Sequence, residues 1–176
     1  MFKVGDTVLY GNQGVCRIVG TEEKELGGTN IEYFVLKPVY DENSTLYVPL
    51  SNSNLLSKMK SVLSAKEIYE MIKEMPDEDT IWIDDENERK QKYQQIINEG
   101  NRHKLVQLIK TLHIHEVSQQ EKGRKLHICD EIILKQAEKL LYDEFALVLN
   151  IKPNEVLPFI IQQIEVEEKP NNTTNT

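Results

Sequence analysis

The chain has 176 residues, 39% of them hydrophobic and 28% charged, which is a length for one large domain or two small ones of ordinary globular composition. No apolar run approaches the roughly 18–20 residues that cross a bilayer, and the polar turn of the opening MFKVGDTVLY excludes a secretory leader, so a cytoplasmic protein is expected. A net charge of -8 argues against a general nucleic-acid binder, which neutralises phosphates with exposed Lys and Arg.

In chain order, Thr7 to Tyr10 reads as a short strand, Asn12-Gln13-Gly14 breaks it, and Val15 to Val19 resumes. Gly27-Gly28 marks a hairpin turn, because glycine adopts the positive φ that two-residue loops need. Ile31 to Val39 and Thr45 to Pro49 are β-branched and aromatic, with the turn Asp41-Glu42-Asn43-Ser44 between them. Short strands at this density predict a small five-stranded barrel of SH3-like or Tudor-like type over residues 1–57.

From there the period becomes helical, and residues 58–166 are expected to form an all-α domain of about five helices. Ser64-Ala65-Lys66-Glu67 has the form of a capping box, opening a helix to about Met75, and Pro76 to Asp79 is a loop. A second helix is predicted from about Asp84 to Glu99, with carboxylates at its start and Gly100 at its end. Asn101 caps a third, with Leu105, Leu108, Ile109 and Leu112 on one face, and residues 117–127 read as a connecting loop. The strongest helix runs from about Asp130 to Leu149, burying Ile133, Ala137, Leu140, Leu141, Phe145 and Val148. A last helix starts near Pro153 or Pro158, and residues 167–176 (the tail ends KPNNTTNT) are expected to be disordered.

No catalytic signature of the GxxxxGK[ST], GxSxG or HExxH kind is present, so an enzyme is not expected. His113 and His115 stand two apart and point to different faces of a helix, so they make no metal pair. Cys16 and Cys129 lack a CxxC companion and read as reduced small hydrophobes, and no cofactor or metal is expected. Asp84, Asp85, Glu86 and Glu88 fit a helix start through its dipole. The charge is nevertheless uneven: residues 86–125 carry nine Lys and Arg against five Glu, which permits weak, partner-assisted contact with DNA.

The ordered series Phe2 to Tyr10, Gly14-Val15, Ile18, Glu22 to Leu26, Tyr33 to Lys37 and Val48-Pro49 resembles CarD-like bacterial transcription regulators, whose N-terminal domain is shared with the transcription-repair coupling factor. Ala137, Leu140-Leu141 and Glu144 to Leu147 extend the resemblance, which covers about residues 1–165. It implies a non-enzymatic regulator. Its β domain docks an edge strand on the RNA polymerase β subunit, and its helical domain stabilises the promoter open complex.

Carried over by position, the polymerase-binding residues are Glu23, Lys24, Glu25 and Leu26, with Tyr47 on the neighbouring strand. An exposed strand laced with charge to deter aggregation is the plain alternative. Relatives place a tryptophan at the start of the second helix as a wedge in the minor groove. Trp82 resembles it, although a gap-free count back from Gly100 puts Glu86 at that position. Ile81-Trp82-Ile83 packing the linker against the bundle is the reading slightly preferred to the wedge. The DNA-binding candidates are therefore Trp82, Arg89, Lys90, Lys92, Lys122, Arg124 and Lys125. No membrane and no small-molecule substrate are expected. Two rival readings are an RNA polymerase-bound adaptor without DNA contact and a small-barrel RNA- or ribosome-binding factor.

Overall fold

The computed structural model describes residues 1–41 and 43–168. The chain forms two compact units, Met1–Val62 and a helical unit from Leu63 onward.

In the first unit the strands are β1 (Thr7–Tyr10), β2 (Val15–Leu26), β3 (Thr29–Pro38), β4 (Leu46–Pro49) and β5 (Met59–Ser61), with a one-turn helix α1 (Ser53–Leu56) before β5. They pair antiparallel in the order β4-β3-β2-β1-β5. Side chains alternate across a strand, so Val8, Cys16, Ile18, Phe34, Leu36, Val48 and Met59 meet on one face as the core. No pairing joins β4 to β5 among the described residues, so the sheet is open where a barrel was expected. Its edge strands have only four and three residues, too few to reach around the core.

Two features shape the site. The register shifts between Ile18 and Gly20, where an extra residue, Val19, bends β2. Beyond the bulge β2 and β3 continue paired to Leu26↔Thr29, closed by Gly27 and Gly28 at φ 59° and 81°. Positive φ at both loop positions is the type I′ requirement, and its twist matches the flanking strands. The structural divide after Val62 falls beyond the boundary expected after residue 57. The reason is β5, which the change to helical periodicity hid and which pairs Val8↔Ser61 to Tyr10↔Met59.

The helical unit contains α2 (Ala65–Glu74), α3 (Glu86–Glu99), α4 (Arg102–Glu121), α5 (Ile128–Leu149) and α6 (Val156–Glu168). Side chains cap three helix starts, at Ser64 and Asn101 as the sequence predicts and at Asp85 within the acidic start predicted for the second helix. Ser64 and Glu67 form both bonds of a capping box, Asp85 accepts from Glu88 N–H at 2.8 Å, and Asn101 accepts from Lys104 N–H at 3.1 Å. Each satisfies donors that a helix start otherwise leaves open. Gly100 ends α3 at φ 58°.

The predicted loop 117–127 is shorter than expected, because α4 continues to Glu121. A Schellman closure ends it there: Gly123 N–H reaches Gln120 O at 2.9 Å and Arg124 N–H reaches Gln119 O at 2.8 Å. Central α5 buries Ile133, Ala137, Leu140, Leu141 and Phe145 with Leu105, Leu108 and Leu112 of α4 in one core. Helix α6 runs to Glu168, and residues 169–176 of the predicted tail lie outside the described residues. No helix among the described residues is long and apolar enough to cross a membrane.

Candidate functional site

The unequal lengths of β1 and β2 create a free edge. β1 pairs only with Val15 to Arg17, and Gly5 and Asp6 bond Ile18 through Gly5 N–H to Ile18 O and Ile18 N–H to Asp6 O. From Val19 to Leu26, β2 has β3 on one side and no strand on the other among the described residues. In an antiparallel strand alternate residues direct their N–H and C=O away from the paired neighbour, so this stretch offers a row of main-chain donors and acceptors. Glu23, Lys24, Glu25 and Leu26 all lie on it.

Their side chains divide between the two faces. Lys24 Nζ sits 3.2 Å from the centre of the Tyr47 ring and 3.9 Å from a Glu22 carboxylate oxygen, and Tyr33 meets Tyr47 edge-on at 6.4 Å. The fold thus joins Lys24 to Tyr47, through a cation–π contact that desolvation strengthens. Glu23 and Glu25 alternate to the opposite face, where Glu23 pairs directly with Glu32. Like charges placed opposite each other weaken a sheet, so this acidic face adds nothing to folding. Leu26, 63% exposed, stands beside the turn at the end of the edge.

In the helical unit the tryptophan segment is strapped to the bundle. Ile81, Trp82 and Ile83 pack on its core, Ile81 N–H bonds Thr111 Oγ1 at 2.9 Å, and Tyr93 Oη donates to Ile81 O at 2.9 Å. Burial pushes the Tyr93 hydroxyl pKa up to about 12, so it remains a donor. The Trp82 ring stacks on His115 at 3.8 Å, its Nε1 donates to Asp84 Oδ1 at 3.0 Å, and the Arg89 guanidinium lies 4.5 Å from the ring centre. The half-buried ring and its Nε1 thus each have a partner inside the unit.

Arg89 lies in a setting unlike that of an exposed base. It is buried, with Nε and Nη2 each 3.0 Å from the two carboxylate oxygens of buried Asp130, and its Nη1 donates to Ile83 O at 2.8 Å. The hydrogen-bonded Asp130 raises the guanidinium pKa against the opposing effect of burial. The guanidinium thus has its charge paired inside the unit. Lys90, Lys92, Lys122, Arg124 and Lys125 are exposed. Lys90 and Lys92, two residues apart, flank the buried stripe of α3 on different sides. Lys92 borders a hollow of about 360 Å³ with Trp82, Tyr93, Ile96 and Lys104, whereas Lys122, Arg124 and Lys125 follow α4. Of the six predicted bases, five are exposed and Arg89 is buried.

The paired histidines separate as the helix geometry requires. His113 Nε2 lies 2.7 Å from Glu138, and that bond, helped by Glu116, raises its pKa against burial. His115, beside Trp82, is pushed the other way by burial. A histidine whose folded pKa is raised stabilises the fold fully below its unfolded value of about 6.5 and loses that contribution as pH rises through the folded value. His113→Gln is therefore expected to lower stability clearly near about pH 5.5 and little near about pH 9, as read from urea melts at both. His115, unchanged in the variant, cancels from the comparison.

Two family models match this architecture unit by unit. The CarD-like/TRCF RID domain matches residues 2–60, and the CarD C-terminal domain matches residues 67–160, more than half of the chain by itself. The chain belongs to the CarD-like family. CarD-like proteins are bacterial transcription regulators that associate with RNA polymerase, and the family is not known for enzymes. No curated protein matches the chain. The RID-domain match ends at Lys60 inside β5, so in this CarD-like chain the matched region takes in β1 to β4, most of β5 and the whole free edge. Sequence reasoning missed Asp130, His115 and the Arg102–Glu144 pair, all of which act through residues distant in the chain.

Proposed function

We propose that this CarD-like protein is a cytoplasmic regulator that binds the RNA polymerase β subunit by adding a strand to the free edge of β2, and that its helical unit then modulates the promoter open complex. The observation that carries the reading is the uncovered stretch Val19 to Leu26, with Lys24 held against Tyr47 beside it. In strand addition the main-chain bonds supply affinity and alternate side chains supply choice of partner. Docking also raises the effective concentration of promoter DNA near the helices, so a chain of net charge -8 needs only a few phosphate contacts. Lys90, Lys92, Lys122, Arg124 and Lys125 are the cations for them. The open five-stranded sheet is read as a Tudor-like domain that does not close into a barrel.

The lobe of the β subunit that such proteins meet, isolated, tests this. The full chain is expected to bind it, and Lys24→Glu with Leu26→Asp is expected to weaken binding by at least about tenfold, or 1.4 kcal/mol. Both side chains are at least partly exposed, so the double variant keeps the fold. Undiminished binding by the folded variant rejects the edge.

A second reading, an adaptor that holds polymerase and recruits another protein without touching DNA, is favoured by one observation: Trp82 and Arg89 are engaged within the helical unit. Charge reversal at Lys90 and Lys122 separates the two. A shortened open-complex lifetime supports DNA contact, and an unchanged lifetime supports the adaptor.

A further inference from the structure

Glu86, His127 and Cys129 converge at one end of the helical unit, and one ligand atom from each lies within 4.8 Å of the others. We propose that these three side chains form a site for a zinc-class divalent cation, with water in the fourth position. Thiolate, imidazole and carboxylate are the donor types of zinc sites, and three protein ligands plus water is a recurring arrangement. With metal–ligand bonds of about 2.0–2.3 Å, tetrahedral donors stand roughly 3.3–3.8 Å apart. His127 Nε2 and Glu86 Oε1 are already 3.7 Å apart. A separation at the 4.8 Å limit closes by about 1 Å, which Glu86 and His127, both exposed, reach by rotation of their side chains.

The backbone beneath the cluster is fixed by an independent feature. Glu86 stands one turn before Arg89 on α3, and Cys129 stands next to Asp130 on α5. The buried bidentate Arg89–Asp130 pair, at 3.0 Å through both bonds, therefore sets the distance between the two ligand-bearing segments. Supports of this kind, bonded just behind the ligands, are what hold a metal site in shape. The His127 ring is suitably turned: Nδ1 accepts a long 3.4 Å bond from Cys129 N–H, and Nε2 faces Glu86. Metal on Nε2 moves the ring proton to Nδ1 and gives up that long bond. The Cys129 thiol loses its proton to solvent, one proton per metal bound, with no change of oxidation state.

A spacing-based reading misses the cluster because Glu86 lies far from His127 in the chain, and it weighs His113 and His115, which have other partners. The other convergent group among the described residues, Glu74, Glu78 and His103, lacks a thiol, and Glu78 already accepts from Gln107 at 3.1 Å. It serves as the control.

The full chain, kept reduced, is titrated with zinc and with cobalt(II), whose thiolate bond has its own charge-transfer absorption. The expected result is one metal per chain, a cobalt–thiolate band and one proton released. Cys129→Ser abolishes the band, and Cys129→Ser, His127→Gln and Glu86→Gln each weaken zinc at least about tenfold, with helical content unchanged by circular dichroism. His103→Gln leaves binding intact. Absence of stoichiometric zinc binding overturns the proposal. So does a thiolate band that survives in Cys129→Ser, or binding lost in His103→Gln.

Discussion

Arg89→Ala is expected to destabilise the helical unit by about 3–5 kcal/mol, the range for removing one partner of a buried ion pair. The loss follows from what is left behind. Asp130 is 2% exposed, and without the guanidinium its carboxylate stays in the core with no cation beside it. Ile83 O loses its bond from Nη1, and Trp82 loses the cation near its ring, a contact of about 0.5–1 kcal/mol. Replacing both partners with apolar residues, Arg89→Met with Asp130→Leu, is expected to recover most of the loss, because the charges then go together. Urea melts measure both variants. A single variant that melts with the wild type and weakens only promoter contact would return Arg89 to the DNA-facing set and contradict the packing described above.

Glu144→Ala is expected to cost a similar amount, about 3–5 kcal/mol. Glu144 is fully buried in the middle of α5, where a carboxylate persists only if its oxygens are satisfied. Arg102 donates to both oxygens, Nε at 2.8 Å and Nη2 at 2.7 Å, and Leu63 N–H donates to Oε1 at 2.9 Å. One side chain thus joins α4, α5 and the first residue of the unit. Glu144→Gln retains one acceptor oxygen and the shape, so its loss should be smaller than that of alanine. Thermal and urea melts followed by helical circular dichroism give the order wild type, Gln, Ala. An alanine variant within about 1 kcal/mol of wild type would mean that the pair carries no stability.

Local chemistry was legible in the sequence and distant pairing was not. The capping box at Ser64, the cap at Asn101, the stop at Gly100 and the Gly27-Gly28 turn each depend on residues within four positions, and all were placed from the sequence. The apolar stripe of α5 was likewise readable from its period. Strand β5 was missed because three residues carry no alternation to detect, and its pairing with β1 spans the unit. Arg89 read as a solvated base because its partner is 41 residues away. The same distance effect hides the neighbours of Trp82 within the helical unit, His115 and Arg89. The docking residues were named through resemblance, but no local signal showed that four-residue β1 leaves the outer two thirds of twelve-residue β2 uncovered.

Amide hydrogen exchange of the full chain, alone and with the isolated β-subunit lobe, tests strand addition most directly. The account predicts new protection confined to alternate residues between Val19 and Leu26, the amides that face away from β3. Protection that leaves this edge unchanged and appears on the helical unit, or on the opposite border of the sheet, would contradict it.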